Sequence, residues 1–135
     1  MVKERPEKIT KNKIFRTDIG DVFVNDDGIL VLKLINNLDF KLEKAKSAFK
    51  ICEEITEGKK VLVLVINGEI RSIPSETREY LSGRDAAKHR RAVALVITNL
   101  LHRLVALYIM RIRNKYYPTQ IFTDESKAIE WLKQQ

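Results

Sequence analysis

At 135 residues the chain has the length of one domain, for which folding buries roughly two-thirds of the unfolded surface. Apolar residues make up 44% and charged residues 32%, a balance that argues against a disordered chain, and no apolar run approaches the ~18 residues of a membrane-spanning helix. The formal net charge is +7, and the single cysteine, Cys52, excludes an internal disulfide and a cysteine-built metal cluster.

Residues 1–12 (MVKERPEKITKN) lack apolar periodicity and read as a flexible arm before one domain over residues 13–135. The start is charged and has no apolar segment of a secretory signal, so the expected location is cytoplasmic, peripheral to a membrane at most. From Ile14 to Ile35 the chain is rich in β-branched and aromatic residues, broken by Asn25-Asp26-Asp27-Gly28. These turn formers predict a hairpin of Val22–Val24 with Ile29–Ile35. Turn chemistry accounts for the Asp26-Asp27 doublet without an acid-base or metal role.

From Leu42 the apolar spacing becomes helical through Ala45, Phe49, Cys52 and Ile55, with Asp39 expected as N-cap and Gly58 as the stop. Cys52 lies on the apolar side of this helix, where a buried, inert thiol is expected. Val61–Ile66 (VLVLVI) reads as a central strand covered on both faces. A second helix is expected from about Pro74 to Leu81, with Glu76 and Glu79 toward its positive end, and Gly83 ends it. Ala92–Ile97 (AVALVI) repeats the buried-strand signature, so Val63, Val65, Val93, Leu95 and Ile97 are expected in the core.

Thr98 or Asn99 caps a long helix reaching about Lys115, and Pro118 stops it. Its apolar residues spread over roughly 200°, twice what one buried face needs. Leu100 and Leu104 are assigned to the core, so Leu104→Glu is expected to unfold the chain. Arg103, Tyr108, Ile109, Ile112 and Arg113 are assigned to a subunit or membrane interface, so Ile109→Glu is expected to give a folded monomer. Thr119–Phe122 reads as a last strand, and Thr123-Asp124-Glu125-Ser126 as the capped start of a terminal helix with Ala128, Ile129 and Leu132 inward. The order predicts an α/β fold with a mixed β-sheet of about five to six strands flanked by about four helices, its parallel part joined by right-handed crossovers.

The stretches VLVLVINGEIRSIPSETREYL and AVALVI, with Tyr117-Pro118-Thr119 through Phe122-Thr123-Asp124 to Glu130-Trp131-Leu132, resemble the STAS-like, SpoIIAA-related domains of bacteria over about residues 20–134. The resemblance implies a small mixed sheet flanked by helices that serves as a regulatory protein-binding module, sometimes phosphorylation-switched, or binds lipid and small ligands. Where that family places its phosphorylated serine, this chain has Glu76, with Ser75 one place earlier.

Dinucleotide, P-loop, zinc-protease and nucleophile-elbow signatures are missing from the sequence, so it reads as a non-enzyme without a cofactor or metal. His89 and His102 sit among basic residues and read as surface positions. Open α/β sheets bind ligands beyond the carboxyl ends of parallel strands. There the chain offers Asn67, Glu69, Arg71 and Ser72, then Ser75 and Glu76, and Thr98 and Asn99 after the next strand. Turn and cap chemistry also explains these residue types. Charge is uneven: residues 84–117 hold eight basic groups against one acidic, and residues 1–16 hold six against two. Two functions fit. One is a non-catalytic regulatory protein-interaction domain, homodimeric, using the second helix and its preceding loop. The other is a peripheral binder of lipid or a small anionic ligand through segment 84–117. Nucleic-acid binding ranks third, since few aromatic residues interleave the basic ones.

Overall fold

A computed structural model describes residues 13–67, 70–113 and 116–135, omitting the side chains of 105 and 108–113. In chain order its elements are β1 (Phe15–Thr17), β2 (Gly20–Val24), β3 (Leu30–Leu34), β4 (Leu38–Asp39), α1 (Leu42–Thr56), β5 (Val61–Ile66) and β6 (Ile70–Ser72). They continue with α2 (Ser75–Leu81), α3 (Arg84–Ala87), β7 (Arg90–Val96), α4 (Leu100–Arg113), β8 (Thr119–Phe122) and α5 (Glu125–Leu132).

The expected hairpin is present. Asn25 Oδ1 accepts from the amides of Asp27 and Ile29 at 2.9 and 3.0 Å, and Gly28 takes φ 78°, so β2 and β3 pair antiparallel with Val22 opposite Leu32. A second tight turn precedes it. Thr17 Oγ1 donates to the Gly20 carbonyl at 2.7 Å and accepts from the Gly20 amide, which folds β1 back onto β2. Only glycine fits at position 20, because a Cβ would lie 1.9 Å from the Lys33 carbonyl oxygen.

The main sheet has the order β1-β2-β3-β5-β7-β8, antiparallel through β3 and parallel from β3 to β8. The mixed α/β sheet is thus as the sequence indicates, with six strands and with five helices among the described residues. Right-handed crossovers between strands that advance steadily in one direction put the connecting helices on one face. The other face is left for α5.

Alternation along the strands divides the core accordingly. Leu30, Leu32, Val63 and Val93 meet Ala45, Ala48 and Cys52 of α1. Ile29, Val31, Leu64, Ala92, Ala94 and Val96 meet Ala128 and Leu132 of α5. The α5 start is capped as expected, with Asp124 Oδ1 accepting from the Ser126 amide at 3.0 Å.

Several expectations need correction. Asp39 does not cap α1, whose N-cap position is Lys41 without a side-chain bond. The Asp39 carboxylate instead accepts from Ser72 Oγ at 2.6 Å and faces Arg71 at 3.6 Å, because β4 pairs with β6 in a separate two-stranded sheet. The Ser72 hydroxyl, with Lys41 and Arg71 nearby, holds this carboxyl below the usual carboxylate range. Leu100 and Leu104 are not core residues: both are exposed, because α4 packs mainly against β8 and turns them to solvent. Val65 and Leu95 are only half-buried, since the helices above them stand away from the sheet.

Candidate functional site

The gap between the sheet and α1, α2, α3 and α4 is a cavity of about 510 Å³, within the range of small-ligand sites. Its floor is the odd-numbered face of β5 and β7: Val61, Val63, Val65, Val93, Leu95 and Ile97. Phe49 and Cys52 come from α1, Arg78, Tyr80 and Leu81 from α2, and Ala106 from α4. Apolar side chains line most of it. Asn67 stands at one end, and polar groups cluster around Arg90 at the other.

That end is organised by Arg90. Its guanidinium lies 4.9 Å from the Phe49 ring centroid and 5.7 Å from that of Tyr117, and Nη1 donates to Tyr117 Oη at 2.8 Å. The stack continues outward through Phe49 and Tyr80, whose centroids are 5.9 Å apart, to Lys46 over the Tyr80 ring at 5.8 Å. Such contacts orient a cation firmly while leaving its edges free to donate. Beside them, His89 Nε2 lies 3.4 Å from Glu53, and its Nδ1 is 2.9 Å from the Gly58 carbonyl oxygen. His89 therefore ties the strand end to the C-terminus of α1 rather than standing free on the surface.

Two titratable groups feel the dry interior. Burial pushes the Cys52 thiol up to about 12, with Arg90 opposing the rise. Burial also raises Tyr80, again against the pull of Arg90. Cys52 is therefore kept as a protonated thiol, poorly suited to nucleophilic attack, which agrees with its reading as a buried, inert residue.

Of the residues singled out after the central strands, Asn67 alone among those described lines the cavity. Its Oδ1 is buried without a hydrogen-bond partner among the described residues. Arg71 and Ser72 are tied to Asp39, at the β4–β6 pairing. Ser75 and Glu76 are exposed in the first turn of α2. Thr98 is exposed, and Asn99 caps α4 by accepting from the His102 amide at 3.0 Å. Arg103 is half-buried, its Nε buried without a hydrogen-bond partner among the described residues. Glu69 and the side chains of Tyr108, Ile109, Ile112 and Arg113 lie outside the described residues.

Sequence reasoning missed Arg90, Phe49, Tyr80 and Tyr117 as a group. Counting by twos from Val93 would aim Arg91 at the cavity. A register shift between β5 and β7 pairs Val61 with Arg90 and Leu62 with Ala92, which leaves Arg91 as an extra residue and turns Arg90 inward. Arg91 instead donates to the backbone oxygen of Gln135 at 3.1 Å.

Residues 23–135 match the model of a family described as a domain of unknown function, DUF7793. No curated protein matches the chain. Among solved structures, it is similar to a crystal structure of a protein with unknown function from Arthrobacter sp. FB24, at 20% identity over 84% of this chain and 99% of that one, with a TM-score of 0.29.

Proposed function

We propose that this chain, which belongs to the DUF7793 family of domains of unknown function, is a non-catalytic regulatory interaction domain of the STAS-like type that works as a homodimer, its copies meeting along α4. One observation carries the reading. On α4, Leu100, Leu101, Leu104 and Leu107 are 62%, 67%, 55% and 50% exposed. At 100° per residue they fall within an arc of about 120°, and Leu100, Leu104 and Leu107 follow the spacing of a helix-pairing seam. A two-fold axis lets one such patch cover itself. Leucines left in water on one face cost hydrophobic free energy that pairing recovers.

The sheet order and the flanking helices support the STAS-like reading, and the exposed first turn of α2 at Ser75 and Glu76 leaves a second surface for a regulatory partner. The membrane-surface alternative has less support. It needs the basic excess of segment 84–117 on one plane with the leucines, yet Arg90 faces the cavity and Arg91 reaches Gln135 near the end of α5. No helix among the described residues is long and apolar enough to cross a membrane.

Light scattering coupled to gel filtration tests the dimer. Wild type elutes with the mass of two chains, and Leu104→Glu gives a folded monomer with an unchanged circular dichroism spectrum. A wild-type monomer at high micromolar concentration overturns the reading, and salt-sensitive co-sedimentation of that monomer with anionic vesicles replaces it with the lipid one.

A further inference from the structure

We propose that the cavity beneath α1 and α2 is a binding site for an amphipathic carboxylic acid, its carboxylate on the Arg90 guanidinium and its apolar body along the β5 and β7 floor. This goes beyond the pairing of α4 and does not depend on it.

Three observations converge on that chemistry. Close packing leaves few interior voids larger than a water molecule, yet here about 510 Å³ lies over Val65 and Leu95, aliphatic side chains that stay half-buried. An apolar body fills such a space with a gain on both sides.

The head group follows from Arg90. A guanidinium carries five N–H donors in a planar fork, and among the described residues Nη1 alone has an acceptor, Tyr117 Oη. No carboxylate is paired with Arg90 among the described residues. The two acidic side chains that line the cavity, Glu53 and Asp85, are outnumbered by five basic ones, and Glu53 faces His89. Phe49 and Tyr117 hold the guanidinium plane, so a carboxylate meets a fork already set for two parallel bonds in a low dielectric.

The third observation sits at the opposite end. Asn67 Oδ1 is a buried acceptor without a donor among the described residues, at the level where the Asn67 amide bonds the Val96 carbonyl. Arg90 is at the other end of the same strand, about 20 Å away at the ~3.3 Å rise of a strand residue. A chain that spans these ends and carries a hydroxyl at its tail satisfies both, so the ω-hydroxy acid is the better ligand.

The test is calorimetric titration of the full chain with dodecanoate, its ω-hydroxy derivative and dodecanol, each kept below its aggregation range. Wild type binds one dodecanoate per chain saturably, binds the ω-hydroxy acid several-fold tighter and binds dodecanol at least about tenfold weaker than dodecanoate. Arg90→Gln reduces dodecanoate affinity about tenfold or more and leaves dodecanol unchanged. If that variant does not fold, Arg90→Lys keeps the charge without the fork and still weakens dodecanoate several-fold. Leu95→Trp fills the floor and removes binding of all three while Arg90 stays in place. Absence of saturable binding to wild type overturns the proposal, and so does a folded Arg90 variant that holds dodecanoate as tightly as wild type.

Discussion

The two faces of the one sheet are built from the same strands and differ in how completely they are covered. Under α5, Ile29, Leu64, Ala92, Ala94, Ala128 and Leu132 are fully buried, and the Phe122 and Trp131 rings close the edge with centroids 5.8 Å apart. Small residues on β7 and α5 let the helix approach closely. On the opposite face Val61, Val65 and Leu95 are half-buried beneath a gap, and the last crossover helix, α4, carries exposed leucines. One short capped helix closes a face tightly, whereas three longer connections leave the other open. Stability is therefore concentrated on the α5 side, and the cavity lies on the open side.

Adjacent residues of β5 give the sharpest test, because they point to opposite faces. Leu64→Ala opens a void in a closed layer and is expected to cost about 3 kcal/mol in denaturant unfolding. Val65→Ala removes methyl groups that already border the cavity and is expected to cost about 1 kcal/mol or less. Val65→Asp is likewise expected to cost less than a carboxylate in the closed layer, since a charge there can reach solvent through the gap. Equal losses at the two positions would break the comparison.

Next in size are two buried threonines on the helices of the open face. Thr56 Oγ1 donates to the Cys52 carbonyl at 2.8 Å, so Thr56→Val is expected to lower stability by about 1 kcal/mol. Thr77 Oγ1 is buried with no partner among the described residues, so Thr77→Val is expected to raise stability by about the same amount. Opposite signs in parallel thermal melts would confirm that the open face is incompletely satisfied. A loss at both positions would show that Thr77 has a partner in solution.

The smallest expected effects come from two carboxylates near the surface, Asp124 exposed and Asp39 half-buried. Asp124 lies below its ordinary value chiefly because of the Ser126 side chain, with the Ser126 amide adding to it, and Asp39 chiefly because of the Ser72 hydroxyl. For a carboxyl whose folded value is lowered, the stabilisation is complete above the ordinary value of 3.8 and is lost as pH falls through the lower folded value. Asp124→Ala and Asp39→Ala should each lower the melting temperature at neutral pH and flatten its decline in acid. The Asp124 change should be the larger, because it loosens the start of the helix that seals the closed face. Equal shifts would mean that the β4–β6 pairing matters as much as that cap.

Elements specified by neighbouring residues were legible in the sequence. Asn25 to Gly28 make the hairpin turn, Asn99 caps α4, Asp124 caps α5, and the VLVLVI and AVALVI runs are parallel strands, because each depends on chemistry within a few residues. The tertiary structure decided what depends on residues far apart. Asp39 carries the signature of a helix cap, but Ser72, distant in the chain, is brought to its carboxylate and takes it. Leu100 and Leu104 carry the signature of a core stripe, but α4 packs mainly against β8 and turns them to solvent. At Arg90 a shift of one residue in pairing between β5 and β7 reverses which arginine enters the cavity, and no count along one strand reveals where its neighbour slips.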